Sequence, residues 1–124
     1  MVIANAISLN MLPDVAGGAI IFLRVTPEEA KRLVAASSPV VSAIGHADTA
    51  RVVGRELGIE LPADRRNVVL SGEPMLVAQY IGPRLPEGVT VLPEGARIEF
   101  FVVALSYDGR TEAARNLGLA VQVT

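Results

Sequence analysis

Hydrophobic residues in this chain fall in short runs that are separated by turn residues, which is the pattern of buried strands. The β-branched run at 18–25 (GAIIFLRV) predicts a central strand, and 97–107 (RIEFFVVALSY) predicts a long last strand. Residues 1–7 predict a short first strand, and 40–44 predict a short strand or extended segment. These segments enclose two stretches in which the spacing of apolar residues is helical.

Both predicted helices carry end signals. Thr26 can cap the first helix, a proline takes its first helical position and Glu29 completes a capping box, which predicts a helix over about 27–36. In the second stretch, apolar residues recur at helical spacing over 46–57, and Gly58 supplies a C-terminal stop.

The remaining segments complete a mixed sheet. Residues 67–70 and 75–81 predict a hairpin, and 82–88 predict a loop stiffened by proline and glycine. The resulting order, β-β-α-β-α-β-β-β, predicts the α/β (α+β) class, as a single domain with a mixed β-sheet of about five strands flanked by helices. We assign this domain to 1–107 and treat 108–124 as its C-terminal extension.

Composition narrows the class of protein further. The chain has 124 residues, enough for one core, and its 51% hydrophobic but only 4% aromatic content means that aliphatic side chains build that core. The net charge of −2 argues against a non-specific polyanion binder, so we expect no long nucleic acid as a partner. There is no apolar run of the roughly 18 residues that span a bilayer, no signal-peptide pattern and no cysteine. We therefore expect a cytoplasmic protein with no membrane partner.

The basic residues are almost all arginine, and Lys31 is the lone lysine among 11 basic residues. The arginine fork matches phosphate oxygens well. A composition-biased genome would favour arginine too, and that explanation is at least as good for most of them. Four arginines lie in segments where a local anion site could form despite the acidic total: Arg51, Arg65, Arg66 and Arg84.

The single histidine, His46, follows an apolar run and a glycine and opens the second predicted helix. A glycine-hinged imidazole at a helix N-terminus is where a protein can hold an acid or base against a bound anion. A lone histidine is more often a helix-start residue with a satisfied side chain. A Ser-His-acid triad with Asp48 lacks the local pattern of a nucleophile elbow, so we set it aside.

Two loops offer further candidate groups. Asn5, Ser8 and Asn10 cluster where the first predicted strand gives way to a loop, and such side chains can hold ribose, base or phosphate or simply form a turn. Arg84 and Glu87 lie in the stiffened loop, where the arginine could stabilise a reacting phosphate and the glutamate could orient an imidazole. The alternative is an exposed ion pair that contributes little. One histidine without cysteine argues against a zinc site, and we predict no metal and no cofactor, although carboxylates could still hold Mg²⁺.

Three segments together resemble a known small family: 4–12 (ANAISLNML), 42–50 (SAIGHADTA) and 84–88 (RLPEG). They are similar to segments of the viral type III anti-CRISPR ring nucleases, a family first catalogued without function in archaeal viruses and also present in phages and bacteria. The resemblance spans about residues 1–107. The chain departs from the family pattern in its short 89–95 segment, where family members usually carry a longer helical insert, and in its C-terminal tail.

The resemblance implies a homodimer that binds cyclic tetra-adenylate, the second messenger of type III CRISPR defence, across the dimer interface. It implies cleavage without metal to linear di-adenylate, with His46 as the general acid and with Arg84 and Glu87 as further catalytic residues. Two alternatives stay open: a module that sequesters a cyclic oligonucleotide without cleaving it, and a structural dimeric partner protein. The residues that the resemblance assigns to substrate binding are Asn5, Ser8, Asn10, Gly45, Arg65 or Arg66, and Gln79.

Overall fold

The computed structural model describes residues 1–107, and the extension assigned to 108–124 lies outside the described residues. Five strands and two helices make up this part of the chain, together with a 3-10 helix at Leu9–Met11. Their order is β1 Val2–Ala4, β2 Ala19–Val25, α1 Pro27–Ala35, β3 Val41–Ser42, α2 Ala47–Leu57, β4 Met75–Ile81 and β5 Arg97–Ser106.

The strands form one mixed sheet in the order β2-β5-β4-β1-β3. β1 lies parallel to β3 and β4, whereas β5 lies antiparallel to β4 and β2. The carboxyl ends of β1, β3 and β4 therefore meet at one edge of the sheet, and both helices begin there because each follows a strand of the same direction. The predicted class, a single α+β domain with a five-stranded mixed sheet and two helices, is confirmed.

α1 begins and α2 ends at the predicted signals. The Thr26 hydroxyl accepts a hydrogen bond from the Glu29 N–H at 3.1 Å and donates one to the Glu29 carboxylate at 3.1 Å. Gly58 ends α2 in the left-handed conformation with φ 74°, which glycine adopts without steric cost. Among the described residues, no helix is long and apolar enough to cross a membrane.

The two helices pack on one face of the sheet and enclose the main core. A smaller cluster on the opposite face, which we call the open face, includes Ala4, Val77 and Val103. The largest fully buried side chains belong to the main core: Ile3, Ile44, Val52, Val53, Leu76 and Phe100. Because α2 contributes to this core, the start of α2 is fixed firmly against the carboxyl edge of the sheet.

The prediction that β2 is a central strand was wrong. In the described part of the chain, β2 is the outermost strand on one side of the sheet. Four consecutive apolar side chains of β2 stay exposed: Ile20 by 44%, Ile21 by 57%, Phe22 by 69% and Leu23 by 64%. A continuous apolar run is typical of a strand covered on both faces. The strand itself was predicted correctly, but only β5 borders it within the described residues.

The predicted hairpin was also wrong, since residues 67–70 form no strand. Instead, the Leu70 N–H donates to the Met11 carbonyl at 2.7 Å, and the Leu105 N–H donates to the Ser71 carbonyl at 2.7 Å. The segment before β4 is therefore tied to the 3-10 helix and to the end of β5. Of its apolar residues, Leu70 is buried and Val68 is partly buried by packing, whereas Val69 stays 60% exposed.

Candidate functional site

The candidate residues gather near the carboxyl edge of the sheet. Asn5 directly follows β1, His46 lies in the short connection after β3, and Arg84 lies in the loop that follows β4. In sheets with parallel strands, this edge leaves a crevice where ligands bind. The fold thus brings together side chains that are about 40 residues apart in sequence.

His46 is the residue at which α2 starts. It is the N-cap, with an extended backbone at φ −99° and ψ 126°, and its exposed side chain does not cap the helix. The imidazole is therefore not used to hold the helix. Residue 46 stands at the end of α2 that carries free backbone amides and the positive end of the helix dipole, both of which favour an anion.

A surface cavity of about 730 Å³, which we call the His46 cavity, is lined by His46 together with Arg84 and Glu87. Its wall also includes Asp48 and Arg51, which form an ion pair at 3.1 Å. This volume lies within the usual range of small-ligand sites. An imidazole that can donate a proton, a guanidinium and a carboxylate therefore line the same cavity. Within residues 1–107, no three His, Cys, Asp or Glu side chains are grouped as a metal site would require.

Because Gly45 has no side chain, Arg65 can lie close to the connection between β3 and α2. The Asp64 N–H donates to the Ile44 carbonyl at 2.8 Å, which docks this segment beside the connection. A Cβ at position 45 would lie 2.6 Å from Cγ of Arg65, closer than real side chains approach. Arg66 instead pairs with the Asp64 carboxylate through Nε at 3.0 Å. The structure places Arg65 against Gly45, but neither arginine lines the His46 cavity, so the choice between them as a substrate-binding residue stays a prediction.

Asn5 and Gln79 line a different cavity of about 490 Å³ on the open face of the sheet. Aromatic rings form part of its wall: Phe22 and Phe101 meet edge to face at 6.3 Å, and the guanidinium of Arg24 lies 4.6 Å over the Phe101 ring. The structure thus brings the two amides together but not into the His46 cavity. These aromatic residues were not among the predicted site residues, although the alternation within the two strands that carry them indicates a shared face.

Ser8 and Asn10 lie in the exposed turn after β1 and line neither of these two cavities. The Ser8 carbonyl accepts a hydrogen bond from the Met11 N–H at 3.0 Å, which closes the 3-10 turn, and the Ser8 side chain does not cap it. Their role in substrate binding stays a prediction from the resemblance.

An ion cluster on the open face lies near the second cavity. Arg24 approaches the Glu99 carboxylate at 2.8 Å, and the Arg97 Nε donates to it at 3.3 Å. The hydrogen bond from Arg24, followed by that from Arg97, lowers the pKa of Glu99 below its ordinary value of 4.5. Glu99 pairs with Gln79 in the register of β4 and β5. The wall beside this amide therefore carries an ionised carboxylate at neutral pH.

Comparison with known proteins gives a consistent group of viral relatives. The model of the STIV B116-like family matches residues 1–99. ORF117 of Acidianus two-tailed virus is 36% identical over 66 residues, which are 52% of this chain and 56% of that protein, so the match spans little more than half of the relative. The structure of B116 of Sulfolobus turreted icosahedral virus superposes with a TM-score of 0.66 at 27% identity, and covers 83% of this chain and 97% of that chain.

Proposed function

The chain belongs to the STIV B116-like family, and on that basis we propose that it is a metal-independent ring nuclease that cleaves cyclic tetra-adenylate. Such an activity would switch off type III CRISPR second-messenger signalling. One observation carries the proposal: His46, at the N-terminus of α2, shares a cavity with Arg84 and Glu87. Cleavage of an RNA phosphodiester needs a proton donor and positive charge at the phosphate, and these side chains can supply both.

In the proposed reaction, the ribose 2′-oxygen attacks the neighbouring phosphorus and the bond from phosphorus to the 5′-oxygen breaks. The product carries a 2′,3′-cyclic phosphate. His46 donates a proton to the departing 5′-oxygen, a step that contributes roughly 10²- to 10⁴-fold in rate. Arg84 and the amides at the start of α2 stabilise the charge on the pentavalent phosphorus. The 2′-hydroxyl proton passes to Glu87 or to water.

A homodimer forms part of the proposal, because β2 presents four exposed apolar side chains and lies at the edge of the described sheet. Apolar edge strands and patches of this kind are typical of surfaces that a second chain covers. β2 and β3, the strand that leads to His46, lie at opposite ends of the strand order, so the partner has to pack on the open face at Ile20 and Phe22 and not extend the sheet at β2. A ring of four identical nucleotides has two-fold symmetry, and a two-fold dimer packed in this way would present two His46 sites to opposite phosphates. Two molecules of linear di-adenylate per ring are then the expected products.

The test is incubation with labelled cyclic tetra-adenylate in EDTA, followed by chromatographic separation of the products. We expect linear di-adenylate from the native chain, and little from His46→Ala although binding is largely retained. Arg84→Ala should slow cleavage more than it weakens binding. Arg32→Ala removes an exposed arginine of α1 that does not line the His46 cavity, and this matched control should cleave at the native rate.

The alternatives left open by the sequence are separate outcomes of the same experiment. Binding without cleavage by the native chain would indicate a sequestering module, and no binding would leave a structural dimeric partner protein. Full activity in His46→Ala would overturn the assignment of the general acid.

A further inference from the structure

We propose that Asp48 is a positioning residue that holds the loop of Arg84 and Glu87 against the His46 end of α2, an inference that rests on the proposed function. Asp48 is only 9% exposed and lies in the first turn of α2. A carboxylate with so little access to water needs hydrogen-bond partners, and those partners show what it is connected to.

Asp48 divides its two carboxylate oxygens between the helix and the loop. Oδ1 accepts a hydrogen bond from Nη1 of Arg51 at 3.1 Å, and Oδ2 accepts one from the backbone N–H of Gly88 at 3.3 Å. The same Nη1 of Arg51 also donates to the Val89 carbonyl at 3.3 Å. Two side chains one turn apart on α2 thus hold the backbone that directly follows Glu87. We call this set of contacts the Asp48 tether.

The loop has a backbone shape that suits these contacts. Gly88 has φ 77°, in the left-handed region that favours glycine, and no atom lies within 4 Å of where its Cβ would be. Leu85 and Val89 are partly buried against the main core. The loop is therefore anchored at 85 and at 88–89, while the exposed side chains of Arg84 and Glu87 line the His46 cavity.

An acidic residue in a first turn also stabilises its helix through the helix dipole, and α1 offers an internal comparison for that effect. Glu28 occupies the second helical position of α1, as Asp48 does in α2, but Glu28 is exposed. If Asp48 acted only on the dipole, removal of either acid would have a similar effect. If Asp48 acts through the tether, only its own removal should displace the loop.

The first measurement is single-turnover cleavage of labelled cyclic tetra-adenylate, with ring affinity and thermal unfolding determined separately. We expect Asp48→Ala to lower the cleavage rate about 100-fold, because a small misplacement of catalytic groups has an effect of that order. The dissociation constant should change less than about 3-fold. Glu28→Ala should keep the native rate. Asp48→Asn retains an oxygen that can accept from the Gly88 N–H, so it should recover part of the rate.

A double-substitution cycle separates positioning from general destabilisation. In the Arg84→Ala background, Asp48→Ala should lower the cleavage rate by a much smaller factor than it does alone, because the loop has already lost the guanidinium that the tether positions. A merely structural role would lower the rate by the same factor in both backgrounds. Equal factors would therefore overturn the proposal.

Amide hydrogen exchange gives a readout that does not depend on activity. Exchange at the Gly88 N–H should be faster in Asp48→Ala than in the native chain and unchanged in Glu28→Ala. If the native chain fails to cleave the ring, the proposed function fails, and the exchange rates still decide whether the tether exists. If the native chain cleaves but Asp48→Ala keeps both the native rate and a protected Gly88 amide, the tether proposal is wrong while the proposed function stands.

Discussion

Replacement of Phe22 by serine tests whether a second copy of the chain covers β2. Phe22 is 69% exposed, and its ring meets that of Phe101 edge to face at 6.3 Å. A phenylalanine side chain buries about 200 Å², so roughly 140 Å² of Phe22 remains for a partner to cover. At about 25 cal/mol per Å², this area corresponds to about 3.5 kcal/mol per subunit and about 7 kcal/mol for a symmetric interface. These values are upper estimates because they assume complete burial.

The assay is analytical ultracentrifugation over a wide range of protein concentrations. We expect a dimer for the native chain and, for Phe22→Ser, a dissociation constant raised by about 10² to 10⁵, since 1.4 kcal/mol corresponds to a factor of ten. Val91→Ser replaces an apolar residue that is 46% exposed in the connection between β4 and β5, and this control should leave the constant unchanged. Unfolding of the isolated subunit should change by only about 1 kcal/mol, the size of the lost ring contact.

A native chain that stays monomeric at all concentrations would refute this reasoning, and so would Phe22→Ser with an unchanged dissociation constant. If Phe22→Ser fails to fold, circular dichroism will show it. Ile20→Ser then serves in its place, because Ile20 is 44% exposed on the same face of the same strand.

Three further substitutions test the site and the sheet. Gly45→Ala puts a Cβ 2.6 Å from Cγ of Arg65 and should displace that side chain. Ring binding measured by titration should therefore weaken by about 10-fold, as it should in Arg65→Ala. The variant that carries both substitutions should show no further loss. In Gly88→Ala, the alanine has to adopt the left-handed conformation that Gly88 has at φ 77°. This conformation costs an alanine about 1–2 kcal/mol, so calorimetry should show Tm lowered by about 3–8 °C. The pKa of Glu99 is lowered chiefly by the Arg24 hydrogen bond, so its stabilisation is present above pH 4.5 and is lost as the pH falls through the lower folded value. Glu99→Gln should remove this step from an acid titration of Tm.

Each of these expectations has a contradicting result. Additive losses for the two substitutions at Gly45 and Arg65 would mean that the glycine does not act through the arginine. An unchanged Tm in Gly88→Ala would mean that the loop can relax to another turn. An acid titration of Glu99→Gln that matches the native profile would place the titrating group elsewhere in the chain.

Local signals in the sequence predicted the helices and the long strands because each signal is satisfied within a few residues. Thr26 and Glu29 exchange hydrogen bonds across one helical turn, and Gly58 ends α2 through its own backbone conformation. Such features need no knowledge of the rest of the fold. The resemblance to a small family of archaeal viruses, which rests on contiguous segments of the chain, was also confirmed.

The order of strands was not predictable in this way. The run at Ala19–Val25 has the pattern of a strand covered on both faces, and that pattern is the same whether the cover comes from one chain or from two. The exposed apolar run is what the proposed dimer would cover. Likewise, the apolar residues at 67–70 indicated burial correctly only for Leu70, since Val69 is 60% exposed. Periodicity alone does not separate a short strand from an irregular segment that buries one side chain.

In the candidate site too, some features follow from local sequence and others depend on long-range contacts. His46 was selected on one segment and Arg84 with Glu87 on another, and the structure places all three in one cavity. The choice between Arg65 and Arg66 depends on contacts that no local pattern encodes: a backbone hydrogen bond of the neighbouring aspartate and the notch of a glycine 20 residues earlier. Long-range contacts of this kind fix where Arg65 lies, and its role in substrate binding stays a prediction.

The proposed dimer and the proposed chemistry are coupled by the shape of the substrate. Each subunit offers one His46, whereas two equal halves of a four-nucleotide ring require two cuts at opposite phosphates. A dimer can make both cuts on one bound ring, but a monomer must release and rebind the opened ring, so linear tetra-adenylate should accumulate. Phe22→Ser studied below its dissociation constant should therefore release this intermediate, and a higher protein concentration should restore direct formation of di-adenylate. Di-adenylate from a verified monomer without the intermediate would show that one His46 site suffices and that β2 has another purpose.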